Sequence, residues 1–303
     1  MPAAGGDTGA RRDERTWTVA DAMSWTVDYL TRKEVESPRR SAEWLLSAAT
    51  GLSRIELYAH HDRPLTPVER AAFRAGIERR AAGEPLQYVT GEMPFRHLVL
   101  QVRPGVFIPR PETEVLVDSV LEFLDASGVA EPVVVDLCTG SGAVAVSTAY
   151  ERAGARVHAT EIVPQTAEVA VLNAERAGVS DRVSVTVGDL FASLPAGLRG
   201  RVDVVVSNPP YIPTADLVAL PAEVASREPR IALDGGADGL DTVRRIVEES
   251  REWLRPGGLL AMETDTSRVK DAAELMTSWY ERIGVRHDLT GRDRIAFGTR
   301  REA

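Results

Sequence analysis

The sequence predicts a doubly wound α/β fold, in which a mostly parallel sheet of seven strands follows a small helical bundle and a β-hairpin. Three observations support this fold class. Helical start signals dominate the first part of the chain, the hydrophobic period then changes to two, and short apolar runs alternate with helical patterns from residue 133 onward. The 303 residues suffice for a main domain and an accessory one.

N-terminal capping signals predict the helical bundle. Ser53 and Thr66 are each followed three residues later by glutamate, as in a capping box. Ser37 suits an N-cap because it precedes a proline that fits the first helical position. Gly51 and Gly83 lie where helices would end.

A change of hydrophobic period predicts the hairpin. Apolar residues alternate within 88–90 and 98–102, and Gly91 and Pro94 between them are turn signals. A proline then ends the extended run and opens a helix predicted over 112–124.

The remaining chain alternates strands with helices, as in a parallel sheet covered on both faces. The predicted strands are Val133–Leu137, 157–160, Val183–Val187, Val202–Ser207, 259–263 and a final hairpin of 284–289 and 294–298. Ligands of such a sheet bind beyond the carboxyl ends of its strands, so we expect the functional site in the loops that follow the first four. The predicted segments are a disordered tail over 1–16, a helical domain over 17–84, a β-hairpin linker over 85–108 and an α/β domain over 109–303.

Composition and charge exclude several classes of protein. No apolar run approaches the roughly 18 residues of a membrane helix, and a single cysteine without a secretory signal predicts a reducing, cytoplasmic location. The formal charge of −9 divides into +2 over residues 1–110 and −11 over residues 111–303. Because nucleic-acid binding depends on lysines and arginines that release counterions, the acidic second part disfavours a nucleic-acid partner.

The loop after the first strand predicts a nucleoside site. Gly140 and Gly142 let the backbone approach a ligand closely, and the helix that begins near Gly142 directs free N–H groups towards it. The pattern fits a dinucleotide loop, a methyltransferase loop or a tight turn without a ligand. Glu161, at the end of the second strand, can accept hydrogen bonds from ribose hydroxyls. Asp189 can reach an adenine edge beside Leu190, although a turn aspartate is also typical there.

Cys138 lies in the same loop, and no histidine is close to it in sequence. A catalytic cysteine needs a neighbouring base or a lowered pKa, so we interpret Cys138 as a small loop residue rather than a nucleophile. The five histidines show no metal-site spacing, and we predict no metal.

The most specific signal is the tetrapeptide Asn208-Pro-Pro-Tyr211 at the end of the fourth strand. Pro209 and Pro210 lack N–H groups, so the loop offers acceptors with few competing donors. The Asn208 side-chain oxygen and the Pro209 carbonyl can accept both hydrogens of a planar NH2 group, and Tyr211 adds an aromatic face. Such acceptors hold an amide or aryl amine in line with an electrophilic methyl group and stabilise the charge that develops on nitrogen. A hydride transfer does not require acceptors for an NH2 group. The tetrapeptide therefore favours S-adenosylmethionine over a nicotinamide as the cofactor.

Further segments join this tetrapeptide in a resemblance to the HemK/PrmC family that runs from about residue 18 to 300. They are the loop 136–142 and the segments 83–88, 105–114 and 228–236. The resemblance implies a Rossmann-like methyltransferase that transfers a methyl group from S-adenosylmethionine to the glutamine N5 in the Gly-Gly-Gln motif of class I peptide-chain release factors. S-adenosyl-L-homocysteine is the implied second product.

The resemblance also implies roles for individual residues. Asn208, Pro209, Pro210 and Tyr211 would grip the glutamine as the catalytic residues, and Phe107 would flank the substrate pocket. The implied cofactor residues are Cys138, Thr139, Gly140, Ser141, Gly142, Glu161, Asp189, Leu190 and Asn208. The helical domain would recognise the release factor, and we predict a monomer that contacts neither nucleic acid nor membrane.

Two positions depart from the family pattern. Cys138 stands where the family loop usually has glycine, and a cysteine resists a positive φ. Glu161 stands where the family commonly has aspartate, although either carboxylate can bridge a ribose diol. Arg110 and Glu112 are candidate lid residues without an assigned role.

Three competing functions stay open. The first is an adenine-N6 DNA methyltransferase, which also uses Asn-Pro-Pro-Tyr, because an aryl NH2 group poses the same geometric problem as an amide. Such a base-flipping enzyme needs a basic path for the duplex and usually an added domain. The second is a glutamine methyltransferase that acts on a ribosomal protein, and the third is an adapter that binds a nucleoside without catalysis.

Overall fold

The computed structural model describes residues 16–302, and the chain divides between Thr90 and Gly91 into two compact units. The predicted tail over 1–16 lies outside the described residues, except for its last residue. The remaining predicted segment boundaries stay predictions.

The first unit is a helical bundle. Its helices are α1 Val19–Arg32, α2 Pro38–Thr50, α3 Arg54–Ala59, α4 Pro67–Ala81 and α5 Leu86–Thr90. The capping boxes at Ser53 and Thr66 form as predicted, since each side chain accepts the N–H of the glutamate three residues later. The fully buried side chains of Leu30, Leu46 and Leu57 belong to one apolar core.

One local prediction in this unit is confirmed and another is wrong. Ser37 is the N-cap residue of α2 and precedes a proline in the first turn, as predicted, but its side chain makes no cap hydrogen bond, because its backbone is left-handed, with φ +51°, rather than extended. Residues 88–90 form the end of α5 rather than a strand, with the N–H groups of Tyr88 and Val89 donating to the Pro85 carbonyl. Three alternating residues are too few to distinguish a strand from a helical turn that begins after a proline.

The second unit contains a hairpin and a seven-stranded sheet. The hairpin pairs β1 Glu92–Phe95 with β2 Leu98–Gln101. The sheet contains β3 Val133–Leu137, β4 Arg156–Glu161, β5 Val183–Val187, β6 Val202–Ser207, β7 Leu254–Glu263, β8 Tyr280–His287 and β9 Asp293–Arg300. The helices are α6 Glu114–Ser127, α7 Ala143–Glu151, α8 Pro164–Arg176, α9 Ala222–Ala225, α10 Asp241–Trp253 and α11 Val269–Leu275. The predicted strands of the sheet are confirmed.

The strand order is β5-β4-β3-β6-β7-β9-β8; β9 runs antiparallel to β7 and β8, and the other neighbouring pairs are parallel. Helices α6, α7 and α8 pack on one face of the sheet, and α10 and α11 pack on the other. Val134 and Val135 of β3 accordingly enter different apolar cores, because successive side chains of a strand point to opposite faces. The winding reverses between β3 and β6, and ligands of doubly wound sheets bind at such a reversal.

None of the described helices combines the length and the apolar character needed to cross a membrane.

Candidate active site

A cavity of about 460 Å³ lies where β3, β4 and β6 end. The predicted site residues that line it are Phe107, Cys138, Thr139, Gly140, Ser141, Glu161, Asp189, Leu190, Asn208, Pro210 and Tyr211. Gly142 is instead the N-cap of α7, and Pro209 is buried. The structure therefore brings most of the predicted residues to one place, at the reversal of the sheet.

Asp136 holds the glycine loop in place. Its Oδ2 accepts hydrogen bonds from the Thr139 hydroxyl at 2.5 Å and from the Ala145 N–H at 3.1 Å. Burial raises the pKa of Asp136 to about 7, and these two hydrogen bonds oppose the rise. One carboxyl group thus ties the end of β3 to the first turn of α7.

Cys138 adopts the conformation expected of the family glycine. Its φ is +57°, in the left-handed region, which costs roughly 1–2 kcal/mol for a residue with a Cβ. Burial, followed by the charge of Glu161, raises the pKa of the Cys138 thiol to about 12. The thiol is therefore protonated at neutral pH.

Glu161 presents a carboxylate to the cavity and is itself only 8% exposed. Its Oε2 accepts the Gly140 N–H and its Oε1 accepts the Val163 N–H, both at 3.0 Å. Burial raises the pKa of Glu161, and these N–H groups oppose the rise. Each carboxylate oxygen keeps a further lone pair, so the arrangement fits a ribose diol.

Asp189 pairs with Arg245 of α10, an interaction that the sequence patterns did not predict. The two side chains form hydrogen bonds of 2.9 and 3.2 Å, and both line the cavity. The neighbouring Leu190 is buried, with φ +47°. Since Arg245 lies 56 residues further along the chain, no local pattern indicated the pair.

Asn208 is oriented by a residue that no sequence pattern singled out. Its Nδ2 donates to the hydroxyl of Thr113, which is buried just before α6, at 3.2 Å. Among the described residues, nothing donates a hydrogen bond to the Asn208 oxygen. That oxygen is consequently available as an acceptor at the cavity, which Asn208 lines.

The segment 228–236 supports the loop that follows Asn208. The Ile212 N–H donates to the Leu233 carbonyl, and the Gly235 N–H donates to the Ile212 carbonyl, at 2.9 and 2.8 Å. A Cβ on Gly235 would stand 2.8 Å from the carbonyl oxygen of Pro210. Glycine is therefore required where this segment approaches the tetrapeptide.

Arg110, a candidate lid residue, joins two of the resembling segments. Its guanidinium forms an ion pair with the buried carboxylate of Glu228 and lies 4.9 Å from the ring centre of Phe107. The Ile108 N–H also donates to Glu228, at 3.4 Å. The 105–114 segment is thereby fixed at the edge of the cavity.

Glu263, the last residue of β7, is a second residue that the sequence patterns did not single out. It is 1% exposed, and its Oε2 has no hydrogen-bond partner among the described residues. Burial raises its pKa to about 7, and the nearby Thr113 hydroxyl and the charge of Arg294 oppose the rise. Ligands of such a sheet bind beyond the carboxyl ends of its strands. The same expectation, extended to the predicted strand 259–263, would have singled out Glu263.

Within the described part of the chain, no three His, Cys, Asp or Glu side chains are grouped so that they could hold a metal ion.

Two family models match the chain. The PrmC N-terminal domain matches residues 21–91, and the methyltransferase small domain matches residues 100–220. The release factor glutamine methyltransferase of Geobacter sulfurreducens is 44% identical over 287 residues, which cover 93% of this chain and 96% of that protein. The corresponding enzyme of Moorella thermoacetica is 45% identical over 289 residues, covering 94% and 99%. The chain belongs to the release factor glutamine methyltransferase family.

This membership confirms the predicted family and the predicted class of enzyme, a methyltransferase that uses S-adenosylmethionine. The fold of this family member is also found in more distant solved structures. A T. thermophilus 16S rRNA methyltransferase has a TM-score of 0.52 at 19% identity, over 69% of this chain and 50% of that one. The hMettl16 catalytic domain has a TM-score of 0.54 at 16% identity, over 75% and 81%. These two likenesses concern the fold alone and agree with the predicted Rossmann-like domain.

Proposed function

We infer that this methyltransferase transfers a methyl group from S-adenosylmethionine to the side-chain amide nitrogen of the glutamine in the Gly-Gly-Gln motif of class I release factors. The observation that carries the proposal is the orientation of Asn208. Its NH2 group donates a hydrogen bond to Thr113, its oxygen accepts no hydrogen bond from any described residue at the cavity, and the two residues that follow are prolines without N–H groups. The names of the curated relatives support the same substrate.

The proposed chemistry requires acceptors for a planar NH2 group. An amide nitrogen is a poor nucleophile because its lone pair is delocalised over the carbonyl. The Asn208 oxygen and the Pro209 carbonyl would accept its two N–H bonds, while Tyr211 would pack against the amide plane. These acceptors orient the nitrogen and stabilise the positive charge that grows on it, so no base need act before transfer.

The other side of the cavity would hold the cofactor, which supplies an electrophilic methyl group when bound. Glu161 would accept hydrogen bonds from the ribose hydroxyls, and the glycine loop would contact the rest of the nucleoside through its backbone. Asp189 and Leu190 would contact the adenine. The carboxylates on this side also suit a cationic sulfonium group.

The arginines at the cavity favour a protein substrate over DNA. Arg110 is paired with Glu228, and Arg245 is paired with Asp189. Both cationic groups are thus already neutralised by carboxylates, which leaves little positive charge to attract phosphates. The proposal accordingly describes a monomeric, cytoplasmic enzyme that does not bind nucleic acid directly and whose helical domain recognises the release factor.

A methyl-transfer assay tests the proposal. The enzyme is incubated with S-adenosylmethionine labelled in its methyl group and with a class I release factor, and the matched control is the same factor with alanine in place of the motif glutamine. Duplex DNA and a ribosomal protein replace the factor in parallel reactions. We expect label only in the unaltered release factor; label confined to DNA or to the ribosomal protein would contradict the proposal.

A further inference from the structure

Asn173 of α8 is a buried amide that joins two separate segments beside the cavity without lining the cavity itself. We propose that Asn173 is a positioning residue, which fixes the glycine loop over 138–142 and the strand that leads to Phe107 relative to each other. The inference rests on the proposed function, because that function assigns the loop to the cofactor and the region of Phe107 to the substrate. Loss of Asn173 should therefore weaken the binding of both ligands.

The Asn173 side chain makes three hydrogen bonds, all to backbone groups. Its Oδ1 accepts the Gln101 N–H at 2.7 Å, and its Nδ2 donates to the Gln101 carbonyl at 3.0 Å and to the Ser141 carbonyl at 2.9 Å. The donor or acceptor character of a backbone group is fixed. A reversed amide would face a donor with a donor and two acceptors with an acceptor, so the side chain has a single favourable orientation.

The hydrogen bond to the Ser141 carbonyl satisfies a buried group that α7 leaves open. The N–H that a helical turn would direct to this carbonyl is that of Ala145, which donates to Asp136 instead. Ser141 is buried, and a buried carbonyl without a partner is costly. α8 also approaches the next residue closely, because a Cβ on Gly142 would lie 3.1 Å from the Cβ of Ala170. The glycine loop is therefore seated on α8 at two adjacent residues.

The hydrogen bonds to Gln101 fix the strand on the substrate side. Gln101 is the last residue of β2, and both its N–H and its carbonyl are bound by the Asn173 amide. Two residues later, the Arg103 guanidinium donates to the Gln165 carbonyl of α8 at 2.6 Å. The same helix thus holds the chain on its way to Phe107, which lines the cavity.

The first test compares Asn173→Ala and Asn173→Asp with the unaltered enzyme. The first change removes the amide, and the second keeps its size but replaces the NH2 group by an acceptor that faces two carbonyls. We expect each variant to bind S-adenosyl-L-homocysteine about 10-fold more weakly and to show a KM for the release factor about 10-fold higher, as when a buried backbone group loses its partner. Since the change affects binding rather than the transfer step, kcat with both ligands saturating should be nearly unaltered.

Leu124→Ala is the matched control for a loss of stability. Leu124 of α6 is fully buried in the apolar core on the same face of the sheet, and its truncation leaves a cavity there. This variant should unfold at a lower urea concentration, as the Asn173 variants should, but keep the affinity for S-adenosyl-L-homocysteine and the KM for the release factor. A shift in only one of these two constants in the Asn173 variants, or in neither, would overturn the inference. An equal shift of both in Leu124→Ala would overturn it as well.

Hydrogen exchange in the unaltered enzyme tests the same contacts without a variant that must fold. The Gln101 N–H should exchange slowly because Asn173 accepts it, and S-adenosyl-L-homocysteine should slow it further although Gln101 does not line the cavity. Val99 serves as the comparison, since its N–H faces the same edge of β2 and has no side-chain acceptor among the described residues. Equal exchange at the two positions, or no response of Gln101 to the ligand, would overturn the inference.

Failure of the proposed function has a different signature. Absence of methyl transfer to the release factor by the unaltered enzyme would contradict the proposed substrate. The measurements of hydrogen exchange and of affinity for S-adenosyl-L-homocysteine do not depend on that substrate, so they would still report whether Asn173 fixes the glycine loop to β2.

Discussion

The two sides of the cavity are built in different ways. On the side that we propose for the cofactor, Asp136 accepts hydrogen bonds from donors three and nine residues further along the chain, so the loop is held by residues close to it in sequence. On the side that we propose for the substrate amide, Asn208 donates a hydrogen bond to Thr113, 95 residues away, and its loop packs against the segment that contains Gly235. The comparison teaches that the proposed nucleoside site is built from a short stretch of sequence, whereas the proposed acceptor for a substrate amide needs several distant segments.

The largest effect should come from the amide side. Asn208→Ala removes the acceptor for the substrate NH2 group, and we expect transfer to slow by about 10²- to 10³-fold, as when one preorganised polar group is removed from an active site. Affinity for S-adenosyl-L-homocysteine, measured by calorimetry, should barely change. A loss of affinity as large as the loss of rate would place Asn208 on the cofactor side. The proposed separation of the cavity into a cofactor side and an amide side would then be wrong.

A change on the cofactor side should have the opposite signature. Glu161→Gln removes the charge of the proposed ribose acceptor, and we expect affinity for S-adenosyl-L-homocysteine to fall by about 10- to 100-fold, the equivalent of one charged hydrogen bond. The rate at saturating cofactor should be nearly normal. Glu168→Gln is the control, because that carboxylate is exposed and, among residues 16–302, forms an ion pair only with Arg103 at the surface. Unchanged affinity with a lower saturated rate would contradict the assignment.

The contact between the segment 228–236 and the tetrapeptide 208–211 should be sensitive to one added methyl group at Gly235. Gly235→Ala forces a Cβ to within 2.8 Å of backbone atoms of Pro210 and Tyr211, and we expect the free energy of unfolding to fall by about 1–3 kcal/mol, together with a loss of activity. Gly197→Ala is the matched control, since its added Cβ would have no heavy atom of the described chain within 4 Å beyond its two neighbours in sequence. Urea unfolding measures both, and equal stability of the two variants would show that the segments can separate without cost.

The smallest effect should be at Cys138. Cys138→Gly relieves the left-handed backbone but loses the half-buried thiol, and we expect these terms to leave the free energy of unfolding within about 1 kcal/mol of the unaltered value. Cys138→Val should lower it by about 1–2 kcal/mol, because a β-branched side chain suits that backbone poorly. The urea midpoints of Cys138→Gly and Cys138→Val measure this difference in stability. A Val variant as stable as the Gly variant would contradict the prediction and show that the loop changes its conformation to accommodate valine.

Sequence patterns predicted the sheet and much of the site because the signals are local. Alternation of apolar runs with helical patterns located the strands, and the position of the tetrapeptide after a buried strand placed Asn208, Pro210 and Tyr211 at the cavity. The failure at residues 88–90, which are helical, is a local ambiguity, and at Ser37 the predicted N-cap position is confirmed without the side-chain hydrogen bond. Thr113 was missed because a threonine carries no chemical signal until its partner is known.

The sequence by itself determined the order of strands and helices, the family resemblance and the residue types that a methyl transfer to nitrogen needs. Only the tertiary structure decided that Thr113 orients Asn208, that Glu263 lies buried beside them, and that Arg110 and Arg245 are paired with carboxylates. The physical reason is that hydrogen-bond direction and the pKa of a buried group depend on neighbours in space. Those neighbours come from segments far apart in the chain, which local periodicity cannot bring together.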